Sequence, residues 1–452
     1  MKKNLTMKET ILVASTLFGM FFGAGNLIFP VHLGQMAGAN VWPAIIGFIV
    51  TGVGIPILGV VALGNTHSDN LMEMGSKVSG FYSYAFTCAL YLTIGPFFAI
   101  PRCATTSFTT GVSPLLNGAS ETVPQLIFSF VFFAIVLAFS LKPSGIMTWI
   151  GKIINPTFLV FLFILVIVAL VNPGASISSV EPIESYQSGA LFNGFIEGYG
   201  TMDGIAGLAF GVVVIDVIRS LGIKENEDVA KSTVKAGIFT AILMSLIYIV
   251  TIVMGAQSRG LFEISDNGGI ALAQLSGHYL GSLGSIILAL TVTLACLKTS
   301  IGLVTSCGEI FTKMFPKALS YKVWVIIFSA FSFVVSNVGL TAIINYAVPM
   351  LMLLYPLAIV LIAMALCDRL FGGSRYIYIW VTIGALVAAV FDFIKTLPGG
   401  VIEALHLNGI IELGAKVFPF FDLGLGWIVP SLIGLVIGIV LTKVEKEGKR
   451  AA

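Results

Sequence analysis

Leu17-Phe18-Gly19-Met20-Phe21-Phe22-Gly23-Ala24-Gly25-Asn26-Leu27-Ile28-Phe29-Pro30 is apolar at both ends and carries three small residues and an asparagine at its middle. Gly23-Ala24-Gly25-Asn26 is poor material for an unbroken helix, since glycine loses most backbone entropy and asparagine competes for backbone hydrogen bonds. Taken alone, the stretch has two readings: a small-xxx-small packing seam, or a helix interrupted at membrane depth. A second stretch, Gly198-Tyr199-Gly200-Thr201-Met202-Asp203-Gly204, is again Gly-rich and polar inside an apolar region. Two such interruptions, five helices apart, are the pattern of paired five-helix repeats with inverted topology, each giving a discontinuous first helix to a midplane site. Five is odd, so the second repeat enters the membrane the other way up.

Composition supports a membrane setting. Of 452 residues 57% are hydrophobic and 10% charged, against about a quarter charged in soluble domains. Net charge is +2, which gives no footprint for nucleic acid. Glycine, at 49 residues, is expected where helices pack backbone to backbone in lipid. Five cysteines (Cys88, Cys103, Cys296, Cys307, Cys367) have no metal-ligand spacing and read as small apolar packing residues. The first apolar segment has no A-x-A-like cleavage site and reads as the first span.

With roughly 20 apolar residues needed per crossing, the sequence predicts an all-α polytopic membrane protein of about twelve transmembrane helices. They cover 10 to 31, 41 to 63, 80 to 110, 123 to 141, 149 to 171, 191 to 218, 232 to 256, 270 to 312, 321 to 338, 341 to 366, 376 to 396 and 425 to 442. The implied units are a first repeat over 1–171, a second over 191–366, two additional helices over 376–442, and a cytoplasmic tail at 443–452. Lys and Arg accumulate on one side: nineteen fall there, counting Lys77, Lys142 and Lys152, against Arg259, Lys395 and Lys416 on the other. By the positive-inside rule both termini are cytoplasmic, in a cell membrane. Arg102 and Lys298 fall within spans.

At a helix break, freed N–H groups form a positive end suited to a carboxylate and freed carbonyls a negative end suited to an ammonium or a metal cation. The amides near Ala24, Gly25 and Asn26 are assigned to a carboxylate, and the carbonyls of Gly198, Tyr199, Gly200 and Thr201 to an amino group. Charges inside spans are functional hypotheses by default. Arg102 and Asp203 are the sharpest pair, either an ion pair that opens and closes or, for Arg102, a structural brace. In the eighth span, Thr299 and Ser300 either offer hydroxyl oxygens to a small alkali cation or bond their own i−4 carbonyls. His32, His67, His278 and His406 fall in loops or at helix ends and make no proton relay. No Walker sequence, HExxH or nucleophile elbow is present, so an enzyme is not expected.

These residues closely resemble the motifs of the branched-chain amino acid:cation symporter family. The resemblance is carried by Leu17 to Pro30, Ile94-Gly95-Pro96 through Pro101-Arg102, Gly198 to Asp203, and Leu294-Ala295-Cys296-Leu297 followed by Thr299. It covers essentially the whole chain. It implies membership of the amino acid, polyamine and organocation superfamily, with a LeuT-type 5+5 inverted repeat plus two extra helices. It further implies uptake of leucine, isoleucine and valine by alternating access, driven by Na+, with H+ possible. A Na+ site is then expected at the carbonyls of Gly19, Phe22 and Cys296 and the hydroxyls of Thr299 and Ser300, beside Lys298. An aliphatic side chain is expected against Ile94, Phe98 and Tyr199. The alternative is an H+-coupled or Na+-coupled carrier of another small neutral solute on the same fold. No obligatory protein partner is evident.

Overall fold

The computed structural model describes residues 2–66, 70–116, 118–141 and 146–451. His67 and Lys142 lie outside the described residues, as do the side chains of Lys152, Lys446, Lys449 and Arg450. All regular structure among the described residues is helical.

The first predicted span is two helices, α1 (Met7–Phe21) and α2 (Gly25–Ala37). Phe22 leaves the helix with an extended ψ of 100°, and α2 restarts three residues later. Its partner span is α3 (Val41–Ile49) and α4 (Ile55–Asn65), joined by a π turn over Val50–Gly54. The third is α5 (Gly80–Leu92) and α6 (Ala99–Gly111), joined by a π turn over Thr93–Phe97. There Gly95 leaves helical angles (φ −98°, ψ −124°) ahead of Pro96, whose ring and missing N–H disrupt a helix interior. Then follow α7 (Thr122–Leu141) and α8 (Ile146–Val171).

The sixth predicted span is again broken. Helix α9 (Glu184–Glu197) tightens into a 3₁₀ turn over Gly198–Thr201, Met202 takes a left-handed conformation (φ 66°), and α10 (Asp203–Ser220) begins. After it come α11 (Asn226–Ser258), α12 (Gly268–Met314), α13 (Tyr321–Ser336), α14 (Leu340–Leu366), α15 (Arg375–Lys395) and α16 (Ile428–Ala451). The stretch expected as a tail is thus the continuation of α16.

Among the described residues, eight helical stretches are long and apolar enough to cross a membrane. That criterion leaves out halves such as α1 (15 residues) and α9 (14 residues), too short alone, and takes Gly25–Asn65 and Gly80–Gly111 each as one stretch.

Packing exchanges the two broken helices between repeats. Helices α1 and α2 run along α11, the helix after the second break, while α9 and α10 run along α3 and α4, after the first. Paired glycines make these crossings close. A Cβ on Gly34 would collide with the Ile252 carbonyl and one on Gly255 with the Val31 carbonyl; Gly47 and Gly194 stand likewise against Leu191 and Ala44. In lipid, such backbone contact supplies the dispersion that apolar surfaces alone do not. The same device joins α15 to α16, where Gly384 faces Pro430 and Gly434 faces Trp380.

Candidate functional site

The two breaks face each other. Asn26, at the start of α2, closes the first break upon itself: its Oδ1 accepts the Gly23 amide at 2.9 Å. Its Nδ2 donates to Asp203 Oδ2 at the start of α10 and to the Tyr248 hydroxyl of α11 at 2.5 Å. Tyr248 in turn donates to Asp203 at 3.4 Å. One buried network therefore binds break to break and both to α11. Tyr248 was missed by sequence reasoning, since a tyrosine in an apolar helix carries no local signal. Tyr355 of α14 was missed too; it stacks on Tyr199 with centroids 3.9 Å apart, and its hydroxyl accepts the Gly204 amide at 3.2 Å. Its only sequence cue is its place beside Pro356, at a bendable point of a helix.

Arg102 is the side chain whose role the structure changes most. It is 4% exposed, yet no carboxylate lies within 4.0 Å of it among the described residues. In this conformation Arg102 and Asp203 are not in contact. Instead Nη1 donates to the Gly200 carbonyl at 2.6 Å and Nη2 to Thr201 at 3.3 Å, with the guanidinium over the Phe29 ring at 5.3 Å. Each of the four carbonyls assigned to an amino group already accepts one hydrogen bond, which leaves one lone pair on each. Gly198 accepts from Thr201 Oγ1 at 2.9 Å, Tyr199 from the Met202 amide at 2.9 Å, and the other two from Arg102. Gly198 itself is buried against Thr51, whose hydroxyl donates to the Phe195 carbonyl at 2.7 Å.

Two cavities meet at Arg102. The outer one, about 230 Å³, is lined by Phe29, Glu197, Tyr199 and Gly200 among others. The inner one, about 50 Å³, lies between the breaks, with Gly23, Ala24, Gly25, Asn26, Ile94, Thr201, Asp203 and Thr299 on its wall. Arg102 lines both, so its guanidinium is the partition between them. The structure thus gathers most of the residues assigned to the substrate. Phe98, half-buried beside Phe97, is not on the wall of either cavity, and Tyr199 and Gly200 belong to the outer one.

The residues assigned to a cation divide as well. Thr299 Oγ1 lies 3.6 Å from the point where a Cβ on Gly23 would stand, so its hydroxyl faces the first break. Phe22 stacks on Phe18 at 4.8 Å, and its extended ψ turns its carbonyl out of the helix. Gly19 offers its carbonyl to Lys298 Nζ at 3.4 Å. The Ser300 hydroxyl and the Cys296 thiol, both buried, face Cys103 of α6, whereas the Cys296 atom assigned to the cation is its backbone carbonyl. A helix turns 100° per residue, which is why adjacent Thr299 and Ser300 serve different neighbours.

An all-helical bundle built round two facing helix breaks is a LeuT-type membrane transport fold, and solved structures agree. The chain superposes on Mhp1, a nucleobase-cation-symport-1 family transporter in a closed conformation with bromovinylhydantoin bound, with TM-score 0.63 at 14% identity, covering 96% of this chain and 92% of that one. MhsT in complex with L-phenylalanine gives TM-score 0.52 at 14% identity, covering 98% and 99%.

The profile of the family described as "Branched-chain amino acid transport protein" matches residues 6–445, and the chain belongs to that family. It is 48% identical over the full length of both chains to the branched-chain amino acid permease BrnQ of Lactobacillus delbrueckii subsp. lactis. Against the permease BraB of Bacillus subtilis (strain 168) it is 41% identical, covering 98% of this chain and 97% of that one.

Proposed function

We propose that this protein is a multi-pass secondary carrier that imports leucine, isoleucine and valine with a cation by alternating access, both termini being cytoplasmic. The carrying observation is the inner cavity between the two breaks, partitioned from the outer cavity by Arg102. The names of the permeases it resembles support the substrate class.

The substrate carboxylate goes to the first amides of α2, where a helix N-terminus attracts anions. Arg102 stands beside them: Nη2 is 2.8 Å from the position of a Cβ on Gly25, and Nε is buried with no hydrogen-bond partner. The amino group goes toward Asp203 and the Thr201 carbonyl, which Arg102 yields as it turns to the carboxylate. At about 50 Å³ the inner cavity holds on the order of one or two waters, so a nine-heavy-atom amino acid enters only when the wall opens. Ile94, Ala206, Phe210 and Leu303 give that wall its apolar face. Apolar pockets separate substrates by about 1–3 kcal/mol per methylene, which fits one carrier for three aliphatic side chains.

For the coupling ion we place Na+ between the Phe22 carbonyl and the Thr299 hydroxyl. A specific observation favours a second reading: the Lys298 ammonium is bonded to the Gly19 carbonyl, an oxygen assigned to Na+, so a proton exchanged at Lys298 would do the same work. Counterflow in proteoliposomes tests the substrate class. Labelled leucine taken up against internal unlabelled valine or isoleucine, but not against lysine or glutamate, is the expected outcome; equal exchange with a different neutral solute and none with valine would replace it.

A further inference from the structure

A cavity of about 590 Å³ opens where α4 and α14 end and α11 begins, with Asn4 and Leu5 of the segment before α1 on its wall. That volume falls within the roughly 300–1,000 Å³ of ligand sites, and the cavity shares no lining residue with the two at the breaks. Its charged lining is Lys231 and Lys235 of α11, Arg369 just past α14, and Glu227, three cations to one carboxylate. Glu227 pairs with Lys231 at 3.1 Å in an exposed i,i+4 bridge, a kind of contact worth little and readily exchanged. Lys235 and Arg369 have no carboxylate within 4.0 Å among the described residues. The rim is held in place: Asn65 Nδ2, at the end of α4, donates to the carbonyls of Ala365 at 2.9 Å and Leu366 at 3.4 Å, and Leu5 is buried.

Val234 lines this cavity and also begins an apolar stripe along α11. Val234, Ile238, Ile242 and Leu246, spaced by four, are 41%, 53%, 63% and 57% exposed. Residues four apart share a helix face, and Lys231 and Lys235 stand three residues ahead of Val234 and Ile238, on that same side. The stripe belongs to a stretch long and apolar enough to cross a membrane. The cavity is therefore open at once to the membrane surface and to the hydrocarbon beside α11. A small soluble anion would use the three cations and leave the stripe idle. A molecule with a phosphate at one end and acyl chains at the other uses both: the arginine fork matches a phosphate and the lysines add point charges.

We propose that this cavity binds the head group of an anionic phospholipid, with Lys231, Lys235 and Arg369 around the phosphate and an acyl chain along Val234, Ile238, Ile242 and Leu246. Basic pockets between membrane helices suit such head groups. The bound lipid holds the ends of α4, α11 and α14 together, and it stabilises the chain without entering either cavity at the breaks.

The test uses the purified full chain in a non-ionic detergent, titrated with phosphatidylglycerol, with phosphatidylcholine of the same acyl chains, and with inorganic phosphate. The melting midpoint and the adducts retained in native mass spectrometry are read, and neither needs a transport substrate. Saturable stabilisation and retained adducts with phosphatidylglycerol, and neither with the other two at equal concentration, are the expected result. Lys231→Gln, Lys235→Gln and Arg369→Gln are each expected to weaken phosphatidylglycerol binding about fivefold, while Lys235→Arg keeps it. Lys322→Gln, away from the cavity, is expected to bind as the wild type does. All four positions are exposed, so the lipid-free melting midpoint is expected to stay at the wild-type value in every variant. Equal stabilisation by phosphatidylcholine, or wild-type affinity in a variant carrying both Lys235→Gln and Arg369→Gln, overturns the proposal. An equal response to inorganic phosphate makes the cavity a free-anion site and overturns it as well.

Discussion

A guanidinium buried with no carboxylate in contact is tolerated only where backbone carbonyls replace water around it, and Arg102 has two, on Gly200 and Thr201. Lysine is a single point charge and cannot span both with fixed geometry. Arg102→Lys is therefore expected to retain a fraction of leucine uptake, and Arg102→Gln to lose at least about tenfold, roughly 1.4 kcal/mol, with monodisperse protein in each case. Uptake by Arg102→Gln at the wild-type rate would remove Arg102 from the partition. The Asn26–Asp203–Tyr248 network makes a milder prediction. Tyr248→Phe removes one hydroxyl from a shared cluster and should cost about 1 kcal/mol of stability, read as a lowered melting midpoint. Asp203→Asn leaves a shape match but an amide facing an amide, and is expected to lower uptake more than Tyr248→Phe. The sequence singled out Arg102 and Asp203 as intramembrane charges, either an ion pair that opens and closes or, for Arg102, a brace; the partners seen here are backbone carbonyls for Arg102 and residues on distant helices for Asp203, which no local pattern encodes.

Helix ends and helix crossings carry a second set of consequences. The first turn of α1 has a capping box, with the Thr6 amide donating to Glu9 Oε2 at 2.8 Å and the Glu9 amide to Thr6 Oγ1 at 3.3 Å. Lys2 reinforces it, at 2.5 Å from Glu9 Oε1 and 3.3 Å from the Leu221 carbonyl just after α10. One lysine thus ties the first turn of α1 to the end of α10. Thr6→Ala is expected to cost about 1 kcal/mol at that end, seen as faster amide exchange confined to the start of α1. Gly255→Ala sets a methyl against the Val31 carbonyl; backbone cannot yield as a side chain can, so a loss of about 1–3 kcal/mol is expected, with α2 displaced from α11. A melting midpoint unchanged from wild type would contradict the close crossing. Both breaks were legible, because Gly23 to Asn26 and Gly198 to Gly204 violate helix propensity inside apolar runs. The π turns at Val50–Gly54 and Thr93–Phe97 were not, since an added residue in a helical turn leaves the apolar pattern nearly intact.

Across the molecule, the exchange of broken helices between α11 and the α3–α4 pair makes the two repeats one mechanical unit, with Arg102 on the wall of the inner cavity and Lys2 tying the first turn of α1 to the end of α10. The all-helical architecture was readable from span length and the five-helix offset of the breaks; which hydroxyl faces the first break was not. Thr299 and Ser300 look equivalent in sequence, and only the rotation of α12 sends one to Gly23 and the other to Cys103. The ordering of coupling groups follows from this: Thr299 should matter for the ion, Ser300 for packing. The most direct measurement is leucine uptake into proteoliposomes under an imposed Na+ gradient, an imposed proton gradient, or neither, for the wild type, Thr299→Ala and Ser300→Ala. The account predicts saturable accumulation driven by Na+, abolished by Thr299→Ala and largely kept by Ser300→Ala. Accumulation driven by protons alone and indifferent to Thr299→Ala would contradict the Na+ site and move the coupling to Lys298.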